Sequence, residues 1–172
     1  LFLAPGGGEL YRSSSTQANW SIVLEPSSAM ISVIAVSPDF MQDSTVIVAR
    51  TTGNLLISTD GGTQWNDKGI PAGAIIYDIT IAPGNAKEIF LATSDGVYYS
   101  NDRGDTFTRK PANLPVEIIN NIAVSPNYLI DKTVFCTTIT HAVYKSTNGG
   151  NSWVLHKSGA VITGQSPSIL NE

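Results

Sequence analysis

A chain of 172 residues with 42% hydrophobic and only 14% charged residues has the composition of one domain that buries a core, which excludes a disordered tail. Its net charge of -4 and pI near 5.0, with ten scattered Lys and Arg, leave no basic footprint for nucleic acid or for an anionic membrane surface. No apolar run approaches the ~18 residues needed to span a bilayer, so membrane insertion is not expected.

The chain opens on "LFLAPGGGELY", without an initiator Met or a basic leader, and reads as a piece of something longer. "LFLAP" is a strand, an apolar pair Leu10-Tyr11 follows, and then comes the stretch "SSSTQANW" from Ser13. The same order recurs: "ISVIAVSP", "TVIVAR", Leu55-Leu56 and "STDGGTQW" from Ser58; "IYDITIAP", "EIFLAT", Val97-Tyr98 and "SNDRGDTF" from Ser100; "INNIAVSP", "TVFCTT", Val143-Tyr144 and "STNGGNSW" from Ser146. The four boxes are 45, 42 and 46 residues apart, the length of one small four-stranded sheet. In the unit chosen as representative the strands, A to D, are expected at Ile76–Ala82, Glu88–Thr93, Val97–Ser100 and Phe107–Arg109, with the box in the C–D turn. The tail "AVITGQSPSILNE" carries an "SP" like those that end the A strands, and could supply a degenerate A strand.

Helical periodicity is absent, and short β-branched and aromatic runs punctuated by Gly, Pro, Asn and Asp indicate an all-β fold. A four-stranded sheet of this size exposes both faces, so the units must stack; radial stacking gives a β-propeller, whole or partial, of antiparallel blades. The expected organisation is a single propeller segment over 1–172: strands B–D of a first blade in 1–23, blades in 24–68, 69–110 and 111–155, and a possible A strand of a next or closing blade in 156–172. Two arrangements stay open, a segment of a larger ring and a closure of four blades or of two copies.

Within the boxes, Ser13, Ser58, Ser100 and Ser146 hold the first position. Asp60, Asp102 and Asn148 hold the third, where a side-chain oxygen can accept backbone N–H groups and close a tight turn. Gly62, Gly104 and Gly150 hold the fifth, as a positive φ requires. Trp20, Trp65, Phe107 and Trp153 hold the eighth, so every tryptophan occupies this slot and is expected to plug the seam between sheets. The first copy has Ser15 and Gln17 where the acid and glycine belong, and its turn is expected to be looser.

S-x-D-x-G-x-x-W resembles the Asp-box, or bacterial neuraminidase repeat, of sialidases, sortilin-type receptors, some xyloglucan-cleaving glycosidases and a photosystem II assembly factor. The resemblance covers the whole chain. It implies a propeller with its box turns on the face opposite the usual binding surface, and an extracytoplasmic or secreted location. It does not select a function, because enzymes and binding modules share the box.

A sialidase-like site, as the resemblance implies it, needs an arginine triad, a Tyr–Glu pair and an acid. This chain has only Arg12, Arg50, Arg103 and Arg109, with Arg12 and Arg103 beside boxes, and lacks the Arg-Ile-Pro signature. Asp78 and Glu117, in or before A strands, are the weak candidates for a carboxylate pair; no other catalytic residue is expected. Cys136 aligns with Val48 and Leu91 and reads as a buried thiol, which allows no disulfide or metal-ligand spacing. Asp39 and Asp43, with Asn127 and Asp131, are too few and lack the glycine of a calcium loop, and they read as capping the A–B connection with Phe40 and Tyr128 tucked inward. No metal and no cofactor are expected. His156 is expected to follow a D strand. If the chain binds a protein or glycan, the B–C and D–A loops form the face, with Lys68, Arg109, Lys110 and His141 as candidates. The reading is a non-catalytic scaffold for protein or glycan recognition; a glycoside hydrolase fragment and a purely structural module are the alternatives.

Overall fold

The computed structural model describes residues 1–14, 19–70, 73–110, 113–114 and 118–157. Among these residues the chain is all-β apart from two helical turns, with one three-stranded and three four-stranded antiparallel sheets, each a simple meander. The first sheet holds β1 (Phe2–Leu3), β2 (Leu10–Arg12) and β3 (Ser21–Leu24). The second runs β4 (Ile31–Val36), β5 (Val46–Arg50), β6 (Leu55–Ser58) and β7 (Asn66–Lys68), with the turn α1 (Phe40–Asp43) between its first two strands. The third is β8 (Ile76–Ile81), β9 (Ile89–Thr93), β10 (Gly96–Ser100) and β11 (Thr108–Arg109). The fourth is β12 (Ile119–Val124), β13 (Val134–Thr138), β14 (Val143–Ser146) and β15 (Val154–Lys157), with α2 (Tyr128–Asp131) placed like α1. The fold is a β-propeller arc, as the repeat spacing predicts.

The core lies between sheets, because strand alternation sends side chains to both neighbours. In β9, Ile89 and Leu91 pack with Ile47, Leu55 and Ile57 of the second sheet, whereas Phe90 and Ala92 pack with Ile119, Ile122 and Cys136 of the fourth. All five residues of β9 are therefore buried. A third cluster joins Leu10 of the first sheet to Val48 and Leu56 of the second. The first strands of successive sheets pack side by side, β4 on β8 and β8 on β12, so they line the inner side of the arc.

The boxes explain how each C–D turn holds its shape. Ser58 Oγ accepts the Gly62 N–H at 2.7 Å and donates to Asp60 Oδ1 at 2.8 Å, and that oxygen also accepts the N–H groups of Thr63 and Gln64, each at 2.9 Å. Ser100 and Asp102 repeat the clasp, with Gly104 N–H on Ser100 Oγ at 2.8 Å and Thr106 N–H on Asp102 Oδ1 at 2.9 Å. In the fourth sheet the Asn148 amide oxygen does the same work, accepting from Ser146 Oγ and Ser152 N–H, both at 2.9 Å. The carboxylates are stabilised as anions: the Gln64 N–H and the Ser58 hydroxyl hold Asp60 below the usual range, and the hydroxyl and N–H of Thr106 bring Asp102 down to about 2. Gly104 has a φ of 80°, and a Cβ there would lie 2.5 Å from Ile57 of the preceding sheet. The glycine thus serves both the turn and the seam.

The ring at the eighth position lies over that glycine in the three later boxes. Trp153 is buried, Phe107 packs on the cluster between the second and third sheets, and Trp65 donates from Nε1 to the Val23 carbonyl at 2.6 Å. Trp20 departs from the expectation, being 39% exposed: no described sheet packs against its side of the first sheet. The loose turn expected at Ser15–Gln17 lies outside the described residues, as does the tail "AVITGQSPSILNE".

The A–B connections are helical turns rather than plain loops in the second and fourth sheets. The acids weighed above as calcium ligands are internal clasps. Asp43 takes the Ser37 hydroxyl at 2.6 Å and the Thr45 N–H at 2.8 Å, and Asp131 takes Ser125 and Thr133 at the same distances. Tyr128 is buried, while Phe40 is half-buried and stacks edge-on to Phe2 at 5.8 Å.

Replacing Ser58 by Ala leaves the buried Gly62 N–H without its acceptor and should cost about 1–3 kcal/mol in urea unfolding. Asp102 gives a pH test. Its folded pKa is depressed, so its contribution to stability is complete above the ordinary carboxylate pKa and is lost as pH falls toward about 2. In an NMR titration the Thr106 amide should shift with a midpoint near that value, while the Ser152 amide, held by Asn148, stays still.

Candidate functional site

The meander puts the A–B connections and box turns at one end of every sheet, and the B–C and D–A connections at the other. Hydrogen bonds fix the first grouping: the N–H groups of Gly61, Arg103 and Gly149 in the boxes donate to the carbonyls of Ser44, Lys87 and Lys132 in the A–B connections. The opposite, loop side is where the binding residues were expected.

The structure disperses them. Lys68, at the end of β7, extends its ammonium to Asp105 in the next sheet's box. Lys110 does the same to Asn151 Oδ1 at 2.9 Å, lying 4.5 Å from the Tyr99 ring. These two lysines occupy equivalent positions and tie each sheet to the box of its successor. Arg109 folds onto Asp95, with Nε on its carbonyl at 2.6 Å and Nη2 3.3 Å from its carboxylate. The charged groups of the candidates Lys68, Lys110 and Arg109 are therefore taken up in internal contacts. His141 remains on that side, exposed and at a φ of 65°. His156 lies within β15 rather than after it, exposed and edge-on to Phe135.

Asp78 bridges two sheets. Its Oδ2 accepts the Ile122 N–H of β12 at 2.9 Å and its Oδ1 accepts the Ile79 N–H at 2.9 Å, at the point where a bulge shifts the register of β8. Glu117 lies outside the described residues, so the pair expected from sequence is not brought together by them. The arginines do not converge: Arg12 donates to the Gly61 carbonyl at 2.9 Å on the box side, Arg103 stands on that side too, and Arg109 is held by Asp95. Among the described residues no group of three His, Cys, Asp or Glu is placed to hold a metal.

Two features of the loop side were not anticipated. The residue just before each A strand is apolar and open: Met30 is 52% exposed, Ile75 46%, and Ile118 half-buried. Beside them stand Tyr77 and Ile139, and the carbonyls of Met30, Ile75 and Ile118 accept from Thr51, Ser94 and Ile139 across the B–C turns. They form an apolar row along the inner rim. The sequence signal was present in the letters before "ISVIAVSP", "IYDITIAP" and "INNIAVSP", but periodicity does not tell a core position from a rim. Farther out is a cavity of about 210 Å³ in the second sheet's loops, where Thr52 donates to Asn54 at 2.8 Å and Asn54 to Asp67 at 2.9 Å.

A buried polar cluster on the box side was also missed. Glu88, just before β9, accepts the hydroxyls of Tyr128 at 2.8 Å and Tyr99 at 3.0 Å on Oε2, and Lys132 at 3.1 Å and Asn85 at 3.2 Å on Oε1. Burial alone would raise its pKa, but the Tyr128 hydroxyl, Lys132 and Tyr99 outweigh it and hold the carboxyl below the usual range. Burial, with the Glu88 carboxylate, pushes both tyrosines well above theirs. The cluster fastens the third sheet to α2 of the fourth.

A family model described as "Sortilin, neurotensin receptor 3" matches residues 53–164. The chain belongs to the Sortilin-Vps10 family. No match was found among curated protein sequences. Among solved structures, an ancestral GH74 enzyme superposes with a TM-score of 0.71 at 21% identity, over 88% of this chain and 22% of its own. The GH74 enzyme of Niastella koreensis gives 0.74 at 16%, over 91% and 27%, and YCF48 bound to a D1 peptide gives 0.60 at 16%, over 77% and 43%. The family member described here thus spans less than half of each of these chains, and at such identities the likeness shows the fold alone. No helix among its described residues is long and apolar enough to cross a membrane.

Glu88→Ala strands the buried Tyr128 hydroxyl and the half-buried Tyr99 hydroxyl and should destabilise the protein by about 1–3 kcal/mol. Because the folded pKa of Glu88 is depressed, the wild-type advantage should persist above the ordinary carboxylate range and shrink as pH falls below it, in parallel urea melts of the two proteins.

Proposed function

We propose that this chain is a non-catalytic recognition scaffold, an Asp-box propeller segment of a larger extracytoplasmic protein, whose loop side binds a polypeptide. The observation that carries this reading is the apolar row of Met30, Ile75, Tyr77 and Ile139 on the inner rim. Met30 and Ile75 hold the same slot of successive blades, with Tyr77 and Ile139 also exposed at that end, and exposed apolar side chains grouped in this way mark protein contacts. The locking of Lys68, Arg109 and Lys110 into internal pairs supports an apolar over an electrostatic mode of recognition. That YCF48 has been solved with a D1 peptide agrees with a protein-binding use of the fold. Family membership favours a location outside the cytoplasm. The blades proposed are 25–68, 69–110 and 111–157, following part of a blade in 1–24, with the chain after Lys157 beginning another; the ends of β3 and β15 move two of the bounds expected from sequence.

A glycan reading, including the glycoside hydrolase alternative, draws on the Thr52–Asn54–Asp67 cavity, whose small hydrogen-bonding groups suit a sugar ring. Catalysis by Asp78 is disfavoured, because both its oxygens accept backbone N–H groups.

The full-length protein should capture a stoichiometric polypeptide partner in crosslinking pull-downs. The triple variant Met30→Asp, Ile75→Asp, Ile139→Asp should lose that capture at least tenfold while keeping the wild-type circular dichroism spectrum. A glycan-array signal unaffected by these changes, or turnover of a chromogenic glycoside lost on Asp78→Asn, would reject the proposal.

A further inference from the structure

On the box side, a groove of about 390 Å³ separates the second sheet from the third. Asp39, Gln42 and Asp43 at α1 form one wall, and Lys87 and Arg103 of the third sheet stand on the other. The acids are engaged: Asp43 takes Ser37 and Thr45, and Asp39 accepts the Gly84 N–H across the groove. The cations are not engaged. Both Lys87 and Arg103 are exposed, and among the described residues neither the ammonium nor the guanidinium makes a hydrogen bond or ion pair. Lys68, Arg109, Lys110 and Lys132 are all tied to partners.

Arg103 is also the wrong residue for its place. It holds the fourth position of its box at a φ of 62°, where the other two boxes have Gly61 at 73° and Gly149 at 67°. The slot requires that conformation because its N–H must reach the A–B carbonyl, here Lys87 at 3.1 Å. A side chain with a Cβ is strained there. Within the described fold the guanidinium contributes no contact to offset that strain, and its one setting is the groove. Backbone held this way without a compensating contact is found preferentially at functional sites.

We propose that this groove is a second binding site, independent of the loop side, for an extended peptide of mixed charge: a carboxylate side chain seated on Arg103 and Lys87, and a basic side chain facing Asp39 and Asp43. The acidic wall disfavours a dense polyanion, whose further charges would meet Asp39 and Asp43. The arginine fork fits a single carboxylate in bidentate fashion.

The test uses fluorescence anisotropy with a labelled dodecapeptide of alternating Glu and Lys, compared with all-Glu and all-Lys peptides and a heparin hexasaccharide. The alternating peptide should bind best. Arg103→Gly should weaken it at least tenfold while the melting temperature stays level or rises, and Lys87→Gln, which leaves the backbone alone, should weaken it severalfold. The proposal is overturned if the alternating peptide does not bind, if all-Glu or heparin binds more tightly, if Arg103→Gly leaves the affinity unchanged, or if it lowers the melting temperature.

Discussion

Every stable feature of this molecule depends on the middle strands being buried on both faces. A strand such as β9, with five buried residues, has no solvent face at all, so its sheet cannot exist without a neighbour on each side. Stacking alone would allow many angles. The A strands, packed β4 on β8 and β8 on β12, draw the sheets together on the inside, and the box of each sheet is pressed against the preceding sheet farther out. The Ser–Asp or Ser–Asn clasp keeps that turn tight enough for Gly104 to meet Ile57 without a Cβ between them.

Much of this was legible from letters alone. The box serine, acid or amide and glycine each have a local reason for being there, since the hydrogen bonds that close the turn stay within five residues of sequence, whereas the ring works across the seam, as Trp65 does on the Val23 carbonyl. The strands of the third sheet fall within a residue of where alternation and turn residues put them. What could not be read were contacts between units. Nothing in "NDKG" says that Lys68 leaves its own sheet for Asp105, and nothing in "AKEIF" says that Glu88 will meet two phenols, one of them forty residues away. Trp20 misled for the same reason: its slot predicts a seam, and a seam needs a second sheet. The helical turns were missed because four residues are too few to show a period.

The placement of charge separates the two ends of the arc. On the loop side Lys68, Arg109 and Lys110 are engaged internally and the surface left over is apolar along the rim. On the box side, the place otherwise given over to structure, Lys87 and Arg103 have no partner among the described residues. Inspection of sequence favours the opposite assignment, because a lysine in a loop looks available until its reach is known. Long side chains make local charge maps unreliable in repeat proteins.

The seams between sheets are built from different materials. The second meets the third through mostly aliphatic side chains with Tyr98 and Phe107, whereas the third meets the fourth through a cluster that includes Phe90, Tyr99 and Tyr128, the two tyrosines bonded to the Glu88 carboxylate. Units that look alike in outline are therefore not interchangeable parts. A permuted or duplicated copy of the third unit, set beside a neighbour without a tyrosine and a lysine in its helical turn, would leave the Glu88 carboxylate with only Tyr99 and Asn85 of its own unit for company. Copying the third unit together with the fourth would keep the joint whole, so the self-sufficient building block at this seam is a couple of units, not one.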